Sequence, residues 1–130
     1  MRIYRWGKPD FDTDTLKGRK IQSVDDSGDG VRLVFEHGSL LLIHRQDCCE
    51  NVYLDEVIGG TLTDLQGETL MEFGEATNAD EPEVESDYES YTWTFYRIAT
   101  ANEDITLRWF GESNGYYSES ISVEWHPATA

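Results

Sequence analysis

Tyr91-Thr92-Trp93-Thr94-Phe95-Tyr96-Arg97-Ile98-Ala99-Thr100 reads as an extended chain with two distinct faces. Side chains two apart lie on the same side of a strand, so Trp93 and Phe95 share one face and Tyr96 and Ile98 the other. Asn102-Glu103-Asp104 then turns the chain, and Ile105, Leu107 and Trp109 alternate with Thr106, Arg108 and Phe110. Ser113-Asn114-Gly115 carries a hairpin signal, because asparagine and glycine accept the backbone angles of tight turns. Tyr117 to Trp125 follows, with Ile121, Val123 and Trp125 directed inward against Ser122 and Glu124. The expectation is a three-stranded meander.

Similar patterns lie upstream. Lys20 to Val24 reads as a strand, and Asp25-Asp26-Ser27-Gly28-Asp29-Gly30 has turn chemistry. Val31, Leu33 and Phe35 alternate with Arg32 and Glu36, His37-Gly38 turns, and Leu40 to His44 returns as a strand. Leu40-Leu41-Leu42-Ile43 is continuously apolar, which predicts cover on both faces. Gln46 to Gly60 is ambiguous. Cys49, Val52, Tyr53 and Val57 make a helical stripe stopped by Gly59-Gly60, whereas in an extended chain Val52 and Leu54 share a face. We read this stretch as a short helix or irregular turn. Thr61 to Gly67 reads as a single helical turn and Leu70 to Ala76 as a strand. Residues 1–16 show no period and read as an arm or edge strand folded over the core. The sum is a mainly β chain: an antiparallel β-sandwich or open barrel of six to eight strands with one or two short helical turns. Residues 17–130 form its single domain, with a loop at 77–89.

Charge is the second organising feature. The 130 residues carry a formal charge of −16. Between Gln46 and Tyr96 there is no lysine or arginine, while those 51 residues hold 14 acids. Such a chain is a poor match for phosphate backbones or anionic membranes, and a better one for a basic protein surface. No run approaches the ~20 apolar residues of a membrane-spanning helix, and the N-terminus lacks the apolar core of a secretory signal. Two adjacent cysteines, Cys48 and Cys49, are no disulfide framework, so the reading is a cytoplasmic protein whose reduced thiols fill small gaps in the core, with metal binding and a redox or vicinal-disulfide role as the alternatives.

Three segments carry a family likeness: Gln46-Asp47-Cys48-Cys49-Glu50, Ser90-Tyr91-Thr92-Trp93-Thr94-Phe95-Tyr96, and Trp109-Phe110-Gly111-Glu112-Ser113-Asn114-Gly115-Tyr116-Tyr117-Ser118. Together they resemble a family of small uncharacterised proteins of bacteriophages and prophages, from about Gly18 to about Glu124. The resemblance implies no activity, cofactor or substrate. It implies a setting: an infected bacterial cell, where many small phage proteins bind and inhibit host machinery.

Three constellations are candidate sites. The first is the run of acids Glu75, Asp80, Glu81, Glu83, Glu85, Asp87 and Glu89. In an extended chain, acids two apart are ~6.6 Å apart on one side, near the spacing of phosphates along a nucleic-acid strand. A solvated loop is the plainer reading, and the missing glycine argues against a calcium loop. The second is a pocket of Trp93, Arg97, Arg108 and Tyr117, with the arginines free to clamp a phosphate or carboxylate unless each pairs with a cross-strand acid such as Glu124. The third gathers His44, Asp47, Cys48 and Cys49, which are metal-ligand types. Adjacent cysteines diverge on a strand or a helix, and no Cys-x-x-Cys is present, so we expect no metal there and no cofactor.

No nucleophile elbow, P-loop or His-Glu-x-x-His occurs. The reading is therefore a non-enzymatic accessory protein that binds a basic host protein, as an inhibitor or nucleic-acid mimic. The alternatives are a binder of a nucleotide-type small ligand and a metal-dependent enzyme.

Overall fold

Alternation determines which side chains meet across the sheets, and register determines where. The computed structural model describes residues 2–5, 8–28, 30–46, 48–78, 90–115 and 118–128, with backbone alone described for 2–5 and 8–10. Ten strands run through them: β1 (Arg2–Arg5), β2 (Lys8–Asp12), β3 (Ser23–Asp25), β4 (Val31–Phe35), β5 (Gly38–Ile43), β6 (Asn51–Ile58), β7 (Leu70–Asn78), β8 (Ser90–Thr100), β9 (Asp104–Ser113) and β10 (Ser122–Pro127). Two single-turn 3-10 helices, η1 (Thr13–Leu16) and η2 (Leu62–Leu65), complete the set. All the strand pairs are antiparallel, in two four-stranded sheets, β10-β5-β4-β3 and β6-β9-β8-β7, plus the hairpin β1-β2.

The two four-stranded sheets form a β-sandwich. Val31, Leu33, Phe35, Leu40, Leu42 and Trp125 face Tyr96, Ile98, Ile105, Leu107 and Trp109 in one buried cluster. Each large apolar side chain so buried contributes ~1.5–3 kcal/mol. The continuous run in β5 behaves as its composition implies. Leu40 and Leu42 point into the core, and Leu41 is buried on the opposite face between its register partners Arg32 and Glu124.

Within residues 1–16, Arg2–Arg5 and Lys8–Asp12 pair as β1 and β2 and Thr13–Leu16 forms η1, which brings the strand count among the described residues to ten. Phe11 stacks on Trp125 with ring centroids 4.4 Å apart, and Leu16 is fully buried. The η2 turn falls where the sequence placed it. Its Thr61 and Asp64 form a capping box that satisfies backbone donors at its start.

Two expectations are corrected. Gln46 to Gly60 holds no helix among its described residues; Asn51–Ile58 is strand β6. Its apolar residues Val52, Leu54 and Val57 pack on the core, and its backbone pairs along β9, a set of bonds that a short helix cannot supply. The C-terminal meander is also not one sheet. β8 and β9 pair as expected, but the other edge of β9 is taken by β6, so the chain crosses the sandwich and β10 pairs with β5. Gly111 permits that crossing. A Cβ there would lie 2.6 Å from the Glu119 carbonyl oxygen, so only glycine lets the returning chain pass so close.

Candidate functional site

The outer face of the β6-β9-β8-β7 sheet carries the aromatic side chains that the core does not use. Inward positions of β8 and β9 are Thr94, Tyr96, Ile98 and Ile105, Leu107, Trp109, all buried. The register sets Tyr91 opposite Glu112, Trp93 opposite Phe110 and Phe95 opposite Arg108 on the other face. Tyr53 of β6 joins them, paired with Phe110. Phe110, itself only 4% exposed, is the hub: its ring centroid lies 4.6 Å from Trp93, 5.9 Å from Tyr53 and 6.2 Å from Tyr91. Tyr53 is 43% exposed. Burial, then the neighbouring Asp55 and Glu112, raise its pKa above the ordinary phenol value.

The arginines of this face are already paired. In β6 the register shifts between Leu54 and Glu56, and this bulge sets both Asp55 and Glu56 against Arg108. Arg108 donates to Asp55 Oδ2 at 2.6 and 3.0 Å and lies 2.9 Å from Glu56 Oε2. Its guanidinium also covers Trp93, 5.0 Å from the ring centroid. Arg97, further along the face, makes a bidentate contact with Asp104 at 2.7 and 2.9 Å and a third bond to Glu72 at 2.7 Å. The hydrogen bonds it donates to Asp104 lead the causes that raise its pKa. Of the expected pocket, then, Trp93 and Arg108 meet and Arg97 shares their face, while Tyr117 lies outside the described residues. Glu124 pairs with neither arginine; it binds Arg45 at 2.7 and 2.9 Å and His126 at 3.0 Å.

Of the acidic run only Glu75 is described. It accepts a hydrogen bond from the buried Tyr96 hydroxyl at 2.5 Å. Its register partner is Tyr96, so it belongs to the inward side of β7 and anchors the core rather than the aromatic face. Asp80, Glu81, Glu83, Glu85, Asp87 and Glu89 lie outside the described residues, between β7 and β8.

The cysteines do not fill core gaps. Cys48 and Cys49 are exposed and bonded to each other. The buried group of that segment is Glu50, which the apolar pattern could not single out. Its carboxylate accepts from Cys48 N–H at 2.8 Å and Gln46 Nε2 at 3.0 Å and lies 3.2 Å from His44 Nε2. His44 Nδ1–H donates to the Ser120 carbonyl at 2.7 Å. The Nε2–Glu50 contact is then a hydrogen bond only when the pair holds one further proton. Both ring nitrogens of His44 thus lie within 3.2 Å of protein oxygens. Asp47 lies outside the described residues.

A second buried carboxylate, Glu119, accepts from the Thr92 hydroxyl at 2.8 Å and from the Ser113 hydroxyl. Sequence reasoning missed it, since its burial depends on the crossing chain.

Between the sheets, beside edge strand β6, opens a cavity of about 490 Å³. Val31 of one sheet faces Val52, Leu54 and Trp109 of the other across it. Trp109 is 2% exposed, and its indole Nε1–H has no hydrogen-bond partner among the described residues. A buried donor without a partner costs ~1–3 kcal/mol.

The model of a family described as a domain of unknown function, DUF7448, matches residues 14–123. The chain belongs to that family. No curated protein and no solved structure matches it. The DUF7448 match runs from η1 to the second residue of β10, so it takes in both walls of the sandwich, the aromatic face and the cavity. The β1-β2 hairpin lies before it.

Proposed function

We propose that this chain is a non-enzymatic accessory protein of phage type that binds a basic surface on a host protein in the bacterial cytoplasm and inhibits it. The observation that carries this reading is the aromatic face of the β6-β9-β8-β7 sheet. Tyr53, Tyr91, Trp93 and Phe110 form one cluster there, with Asp55, Glu56 and Glu112 around it. Aromatic anchors inside a charged rim are the composition of a protein-binding surface. Both arginines of the face are occupied by carboxylates, so its charge is left to the acids. The acidic run from Asp80 to Glu89 falls between β7 and β8 in the sequence and adds to the attraction for a cationic partner. Its alternating acids support mimicry of nucleic-acid phosphates as the mode of inhibition.

The nucleotide-type reading has less support. Arg97 and Arg108 would have to abandon two carboxylates each to hold a phosphate, and the region around them is anionic.

The test uses the immobilised chain and bacterial lysate at about 0.05 M and about 0.5 M salt, since ion-pair attraction is screened across that range. A genuine partner is a basic protein retained at low salt and released at high salt. Serine at Glu81, Glu83, Glu85 and Asp87 should abolish its retention, and so should the Tyr53→Ala/Trp93→Ala variant. Retention unaffected by the serines removes the acidic run from the mechanism; retention unaffected by the alanines removes the sheet face.

A further inference from the structure

We propose that the hollow beside η1, lined by Lys17, Arg19 and Lys20, is a binding site for a compact, multiply charged phosphate anion. The chain has 26 acids and 10 bases, so a base left without an acid calls for a reason. Arg45, Arg97 and Arg108 each bind carboxylates, and Arg32 donates to the Ser39 hydroxyl. Arg19 and Lys20 have no carboxylate partner among the described residues. Lys17 has only the exposed Asp14, at 3.7 Å, a contact that solvent screens. All three line one hollow of about 450 Å³, together with Gln22 and Glu36. The backbone holds them there. Leu16 and Ile21 are fully buried and anchor the segment at both ends. Between them Gly18 takes a φ of +83°, a left-handed turn that favours glycine. Its N–H donates to the Leu70 carbonyl at 2.8 Å, Leu70 N–H donates to the Arg19 carbonyl at 2.9 Å, and Ile21 N–H donates to the Glu68 carbonyl at 2.8 Å. The exposed bases therefore stand on a main chain fixed against the start of β7. An arginine fork with two ammonium groups suits phosphate oxygens, the first through paired N–H donors and the others as point charges. Three bases against the one acid Glu36 favour more than a single negative charge. A nucleic-acid strand would run on from the hollow over a chain of charge −16, whereas a compact anion meets only the bases, which sets the size of the ligand.

This site shares no residue with the macromolecular interface proposed above, so either can fail without the other. The probe is inorganic pyrophosphate, with citrate as a carboxylate of comparable charge. The readout is the set of backbone amide signals from Gly18 to Gln22 in a nitrogen–proton correlation spectrum of the full chain, in magnesium-free buffer. Pyrophosphate should shift those signals saturably, with citrate binding at least about tenfold more weakly. Arg19→Ala/Lys20→Ala should weaken pyrophosphate by at least about tenfold, the effect of losing charge-assisted hydrogen bonds. Both side chains are exposed, so this variant should keep its fold and its unfolding temperature. Glu36→Gln, which removes the one repelling charge, should tighten pyrophosphate by about threefold. Arg45→Ala, which removes a base already held by Glu124, should leave the affinity unchanged. No saturable shift of these signals up to about 10 mM pyrophosphate overturns the proposal. So does equal binding of citrate, undiminished binding by Arg19→Ala/Lys20→Ala, weaker binding by Glu36→Gln, or a loss in Arg45→Ala as large as in the double variant.

Discussion

Glu50 shows how much can rest on one side chain. Its carboxylate is fully buried, yet it accepts from the Cys48 backbone and from Gln46 and meets His44. Glu50→Ala would leave those donors without an acceptor and His44 without its partner. The expected loss is about 2–4 kcal/mol in urea unfolding, against less than ~1 kcal/mol for an exposed acid such as Glu36. Glu124 provides a pH signature. Hydrogen bonds donated by Arg45 and, against the opposing effect of burial, by His126 hold its pKa at about 2, below the ordinary 4.5. A carboxylate depressed in the folded state stabilises above pH ~4.5, and that contribution is lost as pH falls toward about 2. Arg45→Ala should therefore lower stability at pH 7 by about 1 kcal/mol, a modest figure because Arg45 is 59% exposed and solvent screens the pair. The same substitution should have little effect below pH ~2, where Glu124 is protonated in either state. Unfolding curves at both pH values check the sign.

At the scale of elements, the crossing from β9 to β10 is the feature that makes a sandwich out of an apparent meander. It depends on Gly111, over which the Glu119 backbone passes, and on the Ser113 and Thr92 hydroxyls that hold the Glu119 carboxylate. Gly111→Ala should cost about 1–3 kcal/mol by overpacking, while Gly74→Ala, with open space at its Cβ, should cost under ~1 kcal/mol. Thermal unfolding of the two variants separates a steric requirement from a general preference for glycine. Strands β4, β5, β8 and β9 were legible because each alternates or is continuously apolar over five residues or more. β6 was not, because Val52, Tyr53 and Val57 satisfy a helical stripe as well as a strand. With β6 unread, Tyr53 was missing from the aromatic cluster. The bulge that aims Asp55 and Glu56 at Arg108 has no sequence signature either.

For the whole molecule, the charge of −16 acts on folding as well as on binding. Self-repulsion among the acids is long-ranged in dilute salt and shortens to ~10 Å at 0.1 M. Raising sodium chloride from about 0.01 M to about 0.2 M should stabilise the chain by about 1 kcal/mol, or about 3–5 °C in Tm. Over the same range, affinity for a basic partner should fall. Opposite salt dependences of Tm and of binding would identify one charge distribution as the source of both; a Tm that falls with salt would mean that the ion pairs of Arg45, Arg97 and Arg108 outweigh the repulsion.

Periodicity and composition were enough to establish a mainly β chain, the division of β8 and β9 into two faces, and an acidic stretch without bases. Those are local properties: side-chain alternation follows from the backbone of each strand, and charge is a count. Which strand pairs with which, where the chain crosses the sandwich, and which acids are buried rather than solvated depend on contacts between distant residues. Glu50 and Glu119 look like any other acid in a chain rich in them, and Trp109 like any other core aromatic. Only the packing of two sheets makes the first two structural centres and buries the indole N–H of the third with no partner among the described residues. The aromatic face follows the same rule, since Trp93, Phe110 and Tyr53 come from three separate strands and meet only once the register is set.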